Sequence, residues 1–391
     1  MESRVQKTIG CDIILKAARL FNMLVLSFVL GSFVSGCEPM EKKAVVQFME
    51  GEFPQRLSDW GVVYRAGDEL AVNQGVVTYD LNTPLFTDYA HKLRTIWVPK
   101  NSKGSYNAED DISLPVGSIV TKTFFYPRDG EILLMTQSEA NDFSEHGSMK
   151  NLNLDNVRLI ETRILVHLED GWHGLPYIWD EQQQDAWLEI AGGTIEVALV
   201  SEHSRQSFNY VVPDFNQCQG CHIENMTSGE MGLLGVKTRH LSKNYRENKI
   251  DQLQQWMNLG VVQVFELPLE VNVDWRDSSL DINERARSYL DINCGHCHNP
   301  KGAADTSGLF LHRGATAELR LGFCKPPVAA GQGTGGRPFG ITPGNADESI
   351  LSYRMKSLNL GAMMPELGRS LVHEEGVALV ESWINQLEGE C

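Results

Sequence analysis

The 391-residue sequence has no apolar run long enough to span a membrane, few cysteines, and fewer basic than acidic side chains. Its N-terminal apolar stretch, residues 23–34, is too short to cross about 30 Å of hydrocarbon as a helix. The 34 basic and 51 acidic residues leave a net charge of −17, which disfavours nucleic acid and anionic lipid headgroups as primary partners. The 35 glycines and 15 prolines are too few for a collagen-like or wholly disordered chain. We therefore expect an acidic globular protein of two or three domains.

Residues 1–36 have the order of an export signal: basic residues, a short apolar run, and small residues before a cleavage site. The run ends in Val34-Ser35-Gly36-Cys37, which resembles a bacterial lipobox, in which the cysteine is acylated and becomes the first mature residue. We therefore expect a periplasmic protein anchored to a membrane by lipid on Cys37. The outer membrane is favoured because Glu38, rather than an aspartate, follows that cysteine. A plain secretory signal with an incidental Cys37 is the alternative.

One five-residue pattern occurs twice, as Cys218-Gln219-Gly220-Cys221-His222 and as Cys294-Gly295-His296-Cys297-His298. Both copies read C-x-x-C-H, the attachment signature of haem c. Two thiols three residues apart on a helical turn can each add across a haem vinyl group, and the next residue then presents its imidazole to the iron. The sequence therefore predicts two haem c groups. The predicted attachment residues are Cys218, Cys221, Cys294 and Cys297, and the predicted iron ligands are His222 and His298.

Zinc and redox dithiols are the other readings of paired cysteines. Paired zinc-binding elements normally lie about 15–20 residues apart, whereas 72 residues separate Cys221 from Cys294. A thioredoxin-type dithiol would need a βαβ setting and no following histidine. Cys324 and Cys391 remain as an even pair in an oxidising compartment, so we predict that they form a disulfide. We expect His296, inside the second motif, to be a solvated side chain.

Hydrophobic periodicity predicts strands first and helices later. Residues 117–126 and 157–168 alternate as half-buried strands do, whereas residues 248–259, 281–292, 347–356 and 374–387 have helical spacing, with Asp281 as a helix N-cap. We therefore predict an α+β multidomain protein. Its parts would be the signal over 1–36, an antiparallel β domain over 37–215, and two mostly helical, class I-like cytochrome c units over 216–278 and 279–391.

The C-terminal order of helix, CxxCH, long loop, Met363-Met364-Pro365 and last helix resembles class I c-type cytochromes. This resemblance implies that His298 is the proximal and Met364 the distal iron ligand, with Met363 as the alternative. Gly232-Leu233-Leu234-Gly235 resembles the small loop that supports the proximal side in that class. The first unit has no Met-Pro loop, so its distal ligand stays open. Its candidates are Met226, Met231, His240, Met257 or an open iron.

The mature chain as a whole resembles an uncharacterised family of di-haem c-type cytochromes from Gram-negative bacteria. The matching stretches are residues 82–86 (NTPLF), 117–126 (GSIVTKTFFY), 212–213 (VP), 324–331 (CKPPVAAG) and 367–376 (LGRSLVHEEG). His240 departs from the pattern, in which a glutamine is expected. The resemblance implies electron transfer outside the cytoplasm and supplies no substrate.

We therefore expect an electron-transfer lipoprotein that meets redox partner proteins through a basic docking patch on the partner, and we assign no catalytic residue. Two alternatives stay open. One is a di-haem peroxidase or oxidase, in which one haem offers an open site. The other is a ligand-binding β module in which the haems act as a relay.

Overall fold

The computed structural model describes residues 41–107, 111–136, 151–243, 250–267 and 270–391. The predicted signal and Cys37 lie outside these residues. Across the described ranges, no helix combines the length and apolar character needed to cross a membrane.

Strands dominate the first half of the described chain and short helices the second. The strands are β1 Val63–Ala66, β2 Glu69–Val72, β3 Val77–Tyr79, β4 His91–Trp97, β5 Ser105–Tyr106, β6 Ile112–Ser113, β7 Ile119–Asp129, β8 Ile132–Leu134, β9 Asn151–Asn153, β10 Val157–Leu168, β11 Gly171–Trp179, β12 Ala186–Leu188, β13 Gly193–Val200, β14 Arg205–Val212, β15 Ile223–Asn225 and β16 Glu230–Met231. The α-helices are α1 Phe215–His222, α2 Thr238–Leu241, α3 Gln252–Leu259, α4 Ile282–Leu290, α5 Glu318–Leu321, α6 Ile350–Lys356 and α7 Glu374–Asn385.

Nine strands form one sheet around the long strand β7. β7 pairs with β10 on one side and β4 on the other, and the order β3-β4-β7-β10-β11-β12 is antiparallel throughout. The end of β7 turns into β8, which pairs in parallel with β13, and β13 pairs with β14. β7 has neighbours on both edges, and side chains from its two faces belong to two different apolar clusters, so most of its residues are buried.

The two faces of β4, β7 and β10 have different roles. One face buries an apolar cluster that includes Leu93, Phe125 and Ile164. The opposite face, here called the motif face, lies toward the segments that carry the CxxCH motifs. Its cross-strand rows are Ile96–Val120–Leu165, Arg94–Lys122–Arg163 and Lys92–Phe124–Glu161.

The prediction of an α+β protein with two mostly helical cytochrome c units is wrong. Strand residues outnumber helical residues, 29% against 21%, and the described chain has seven α-helices, most of them short. After the first motif the chain forms the β15–β16 hairpin and the short helices α2 and α3, because its apolar residues pack on the motif face and not around a helical core of their own. Leu233, Val236 and Trp256 share one buried cluster with Val120 and Leu165. The fold is therefore mainly β.

Several element predictions are confirmed. The strand predicted over 157–168 is β10, and the strand predicted over 117–126 falls within and just before β7. Helices α4, α6 and α7 lie inside the predicted ranges, and Asp281 caps α4 by accepting hydrogen bonds from Asn283 N and Glu284 N. Residues 248 and 249 of the helix predicted over 248–259 lie outside the described residues, and α3 covers the last eight residues of that range after its N-cap Asp251.

Cys324 and Cys391 form a disulfide across a sequence separation of 67 residues. The bond joins the loop after α5 to the segment after α7. It therefore closes a long loop around the apolar cluster that contains Leu290, Met355 and Trp383.

Replacing both Cys324 and Cys391 with serine is expected to lower the free energy of unfolding by about 4 kcal/mol, because a cross-link over a loop this long removes much of the entropy of the unfolded chain. Guanidinium titration of the double variant and the wild type measures the difference. A decrease in the free energy of unfolding of less than about 1 kcal/mol would show that this cross-link contributes little to stability.

Candidate functional site

The first CxxCH motif occupies the end of α1, so one helical turn holds its spacing. Asp214 caps α1 by accepting a hydrogen bond from Gln217 N at 2.7 Å, and the Gln217 side chain accepts one from Asp214 N at 3.1 Å. The helix packs closely on β11, where a Cβ added at Gly174 would lie 3.1 Å from Cys218 Cβ. Since Gly174 is the cross-strand partner of Leu165, Cys218 lies against the motif face.

The second motif follows α4 through a π-helical turn, Asp291–Gly295, which carries Cys294. Such turns are frequent at functional sites. Cys297 N and His298 N both donate to Cys294 O, at 3.1 and 2.9 Å. The two thiols and the histidine of the second motif therefore also lie within one turn.

Both motif histidines are held in the same way. His222 Nδ1 lies 2.8 Å from Gly232 O, and His298 Nδ1 lies 3.2 Å from Leu309 O. Because a carbonyl oxygen can only accept, Nδ1 carries the proton in each ring and Nε2 keeps its lone pair. Burial lowers the pKa of His222 to about 3 and also lowers the pKa of His298, so both rings are neutral at pH 7. A neutral imidazole oriented through Nδ1 is the usual arrangement of a metal-ligating histidine.

The four motif thiols are unpaired and protonated. None is in a disulfide. The described ranges contain no group of three or more His, Cys, Asp or Glu side chains arranged to hold a metal ion. Burial raises the pKa of Cys294 and of Cys297 to about 12, and it raises the pKa of Cys218 and Cys221 as well. Since reactive cysteines have a lowered pKa, this environment does not favour the redox-dithiol reading.

A small cavity of about 20 Å³ lies beside the second motif, and Cys294 and Met364 are both among its lining residues. Met363 is buried but does not line the cavity, and His298 also lies outside the lining. Of the two methionines considered from the sequence, Met364 is thus the one that faces this space. The lining residues are Phe86, Tyr289, Asn293, Cys294, Met355, Met364, Pro365, Arg369, His373 and Val377.

His373 is a second potential ligand on this wall that the sequence reasoning did not single out. Its ring stacks on Phe86 with centroids 4.2 Å apart, and its Nδ1 lies 2.9 Å from the Tyr289 hydroxyl. Its Nε2 lies 3.6 Å from a Glu375 carboxylate oxygen. Because both ring nitrogens have polar neighbours, Met364 is the better candidate for a ligand. In the sequence, His373 is marked only by its position in the stretch 367–376, one of those that carry the resemblance to the family, and the resemblance implies no role for it.

The two motifs lie next to each other although 72 residues separate Cys221 from Cys294 in sequence. Met226 N, just after the first motif, donates to Lys301 O, just after the second, at 2.9 Å. A Cβ at Gly220 would lie 3.3 Å from Leu367 in the Met-Pro loop segment. A negative charge on the Cys221 thiolate would raise the pKa of Cys297, so the two thiols are near each other. The structure therefore brings both attachment segments into one site beside the motif face.

The expectation that His296 is a solvated side chain is wrong. The ring is partly buried between the motifs, its Nδ1 lies 3.3 Å from Ile292 O, and burial lowers its pKa to about 4. The charge of a protonated His296 ring lowers the pKa of His222, so His296 lies near the first motif. The sequence alone predicted exposure because it could not show that the first motif lies against this turn.

The distal candidates in the first unit have other contacts or are exposed. His240 Nδ1 lies 3.0 Å from Asn272 Nδ2 and its Nε2 lies 3.5 Å from Asp291. Met257 accepts a hydrogen bond from Phe265 N at 3.3 Å, and Met231 packs in the apolar cluster of Val120 and Trp256. Met226 is 49% exposed. The described contacts therefore do not single out a sixth ligand for the first motif.

No protein-family model matches the chain, and the searches of curated proteins and of solved structures find no significant match.

Proposed function

We propose that this protein is a di-haem c-type cytochrome that transfers electrons outside the cytoplasm. The observation that supports it best is the matched geometry of the two CxxCH motifs. In each, two protonated thiols lie on one turn, and the following histidine is fixed through Nδ1 with Nε2 left as a ligand. A redox dithiol would not need that histidine.

In this proposal each thiol adds across one vinyl group: a sulfur–carbon bond forms and the thiol hydrogen goes to the vinyl carbon. His222 and His298 hold the two irons through Nε2, and Met364 is the second ligand at the C-terminal site. When bound, haem c supplies one-electron exchange between ferric and ferrous iron. The protein's own contribution is to fix the ligands and to keep them in a buried, partly apolar site.

Two haems attached at adjacent motifs would hold one electron each at close range, and this arrangement suits an electron carrier. The net charge of −17 favours redox partner proteins with a basic docking patch. We place the protein in the periplasm, anchored by lipid on Cys37 and sorted to the outer membrane, since residues 34–37 match a lipobox.

The test is to express the full chain in a Gram-negative host that attaches haem c, and to measure its intact mass under denaturing conditions together with its oxidised and reduced spectra. We expect two covalently bound porphyrins and reversible one-electron changes at both. The same chain made without its export signal serves as the control and should carry none. Exported protein without added porphyrin would overturn the proposal.

The same samples distinguish the alternatives. Two low-spin, six-coordinate ferric haems support a carrier. A high-spin ferric haem that reacts with peroxide would favour the peroxidase or oxidase reading, and the absence of a sixth ligand among the described contacts of the first motif makes that haem the one to examine.

A further inference from the structure

The turn that leads into β4 has an unusual backbone. Thr87 O accepts a hydrogen bond from Ala90 N at 2.8 Å, and the two residues between them, Asp88 and Tyr89, have φ angles of +47° and +60°. Residues other than glycine adopt this left-handed backbone at a cost in free energy. Such strain persists where the surrounding structure imposes it, and both side chains have contacts of that kind.

Both strained residues use their side chains on the same distant segment. The buried Asp88 carboxylate accepts hydrogen bonds from Ser370 N and from Leu371 N, each at 2.7 Å. The Tyr89 hydroxyl donates to a Glu375 carboxylate oxygen at 2.9 Å. This turn therefore holds the chain that leads into α7.

The segment that the turn holds is the base of a longer loop. The loop spans residues 357–371 between α6 and α7 and is here called the Met364 loop. Arg369 joins its two ends, because the guanidinium donates to Ser357 O at 2.8 Å and to Leu371 O at 3.0 Å. The loop is therefore closed by Arg369, and its closed base is fastened to the turn before β4.

The chain around this turn also contacts the second motif and the central strand. Phe86 N donates to Asn293 Oδ1 at 2.8 Å, and Asn293 directly precedes Cys294. Tyr126 on β7 donates to Asp88 O at 2.8 Å. One short segment, anchored on β7, thus contacts both the attachment turn of the second motif and the Met364 loop.

We propose that Asp88 is a positioning residue for Met364: by fastening the base of the Met364 loop to the sheet, its carboxylate keeps the Met364 thioether in place as the second ligand of the C-terminal haem iron. This inference rests on the proposed function. It gives the sheet a part in setting the ligation of that haem, because Asp88 leads into β4 and lies far in sequence from both the second motif and the Met364 loop.

The test compares Asp88→Gly with Asp88→Asn in the exported full chain with both haems. Glycine adopts a left-handed backbone without strain, so Asp88→Gly removes the carboxylate and leaves the turn. Asparagine also tolerates this backbone and keeps a carbonyl oxygen that can accept from Ser370 N and Leu371 N. Asn101→Gly is the matched control, because Asn101 is exposed and has a φ of +67° in the turn beyond the other end of β4. Intact mass first shows whether each variant carries two porphyrins.

Asp88→Gly should release the Met364 loop from the sheet and weaken the bond from sulfur to iron. We expect imidazole, added to the ferric protein, to replace the sulfur ligand with an apparent affinity about tenfold higher than in the wild type. The ferrous-to-ferric ratio of the same haem at fixed potential should fall about tenfold, which corresponds to a fall of about 59 mV. Asp88→Asn should stay close to the wild type in both measurements, and Asn101→Gly should change neither.

A purely structural role of Asp88 gives a different result. Asp88→Gly would then unfold at lower denaturant concentration while its imidazole affinity and its potentials match the wild type, and this outcome would overturn the inference. Should Asp88→Gly not accumulate, Asp88→Ser carries the same expectations, because one shorter hydroxyl replaces the two carboxylate oxygens. A wild type with two porphyrins and no sulfur ligand at the second haem would also overturn it. A wild type without porphyrin would instead refute the proposed function.

Discussion

Replacing Cys294 and Cys297 with alanine is expected to remove one of two covalently bound porphyrins and to leave the other in place. Each motif holds its own thiols on its own turn, α1 for the first and the π-helical turn after α4 for the second. Without the sulfur atoms no thioether bond can form at the second motif, while the first keeps both thiols. Denaturing intact-mass measurement counts the porphyrins directly.

The matched variant is Cys218→Ala with Cys221→Ala, which should lose the other porphyrin and keep the one at His298. Comparing the two variants also separates the spectra of the two haems. Retention of both porphyrins in either variant would contradict the assignment of the motifs. Loss of both in one variant would show that the adjacent segments are filled in an obligatory order.

Met364→Leu is expected to lower the reduction potential of the second haem by on the order of 0.1 V. Leucine has nearly the same volume and apolar character as methionine, so the cavity beside Cys294 should keep its packing. What is lost is the thioether, a soft ligand that favours ferrous iron. Spectroelectrochemical titration measures the potential, and the ferric spectrum reports loss of the sulfur ligand.

Met363→Leu is the control, since Met363 is buried beside Met364 but does not line the cavity. Its potential should match the wild type. If Met363→Leu lowers the potential and Met364→Leu does not, the two methionines have been assigned in the wrong order. If neither changes it, His373 is the next residue to replace, because it shares the cavity wall.

Local patterns in the sequence predicted local structure well. The alternation over 157–168 predicts a strand because successive side chains of a strand point to opposite faces. The Asp281 cap predicts the start of α4 because capping involves only residues a few positions away. The CxxCH spacing likewise needs only one turn. These features are set by interactions within a short segment.

The predicted fold class was wrong because the fold depends on which apolar surfaces pack against each other across distant segments. The apolar residues Leu233, Val236 and Trp256 could belong to a separate helical unit or to the sheet, and periodicity does not distinguish the two. The cross-strand row of Arg94, Lys122 and Arg163 has the same origin. The three residues come from three strands, so their alignment depends on a register that no single segment specifies. The partial burial of His296 similarly depends on the neighbouring first motif.

The six cysteines of the described chain must reach two different redox states during maturation. Cys324 and Cys391 are joined, whereas Cys218, Cys221, Cys294 and Cys297 are unjoined. On the proposed function, those four must still be thiols when porphyrin arrives, even though the compartment oxidises the other pair. Production of intact protein therefore depends on a supply of reductant directed at the motifs as well as on an oxidant, and secretion under purely oxidising conditions should yield folded chains locked without pigment.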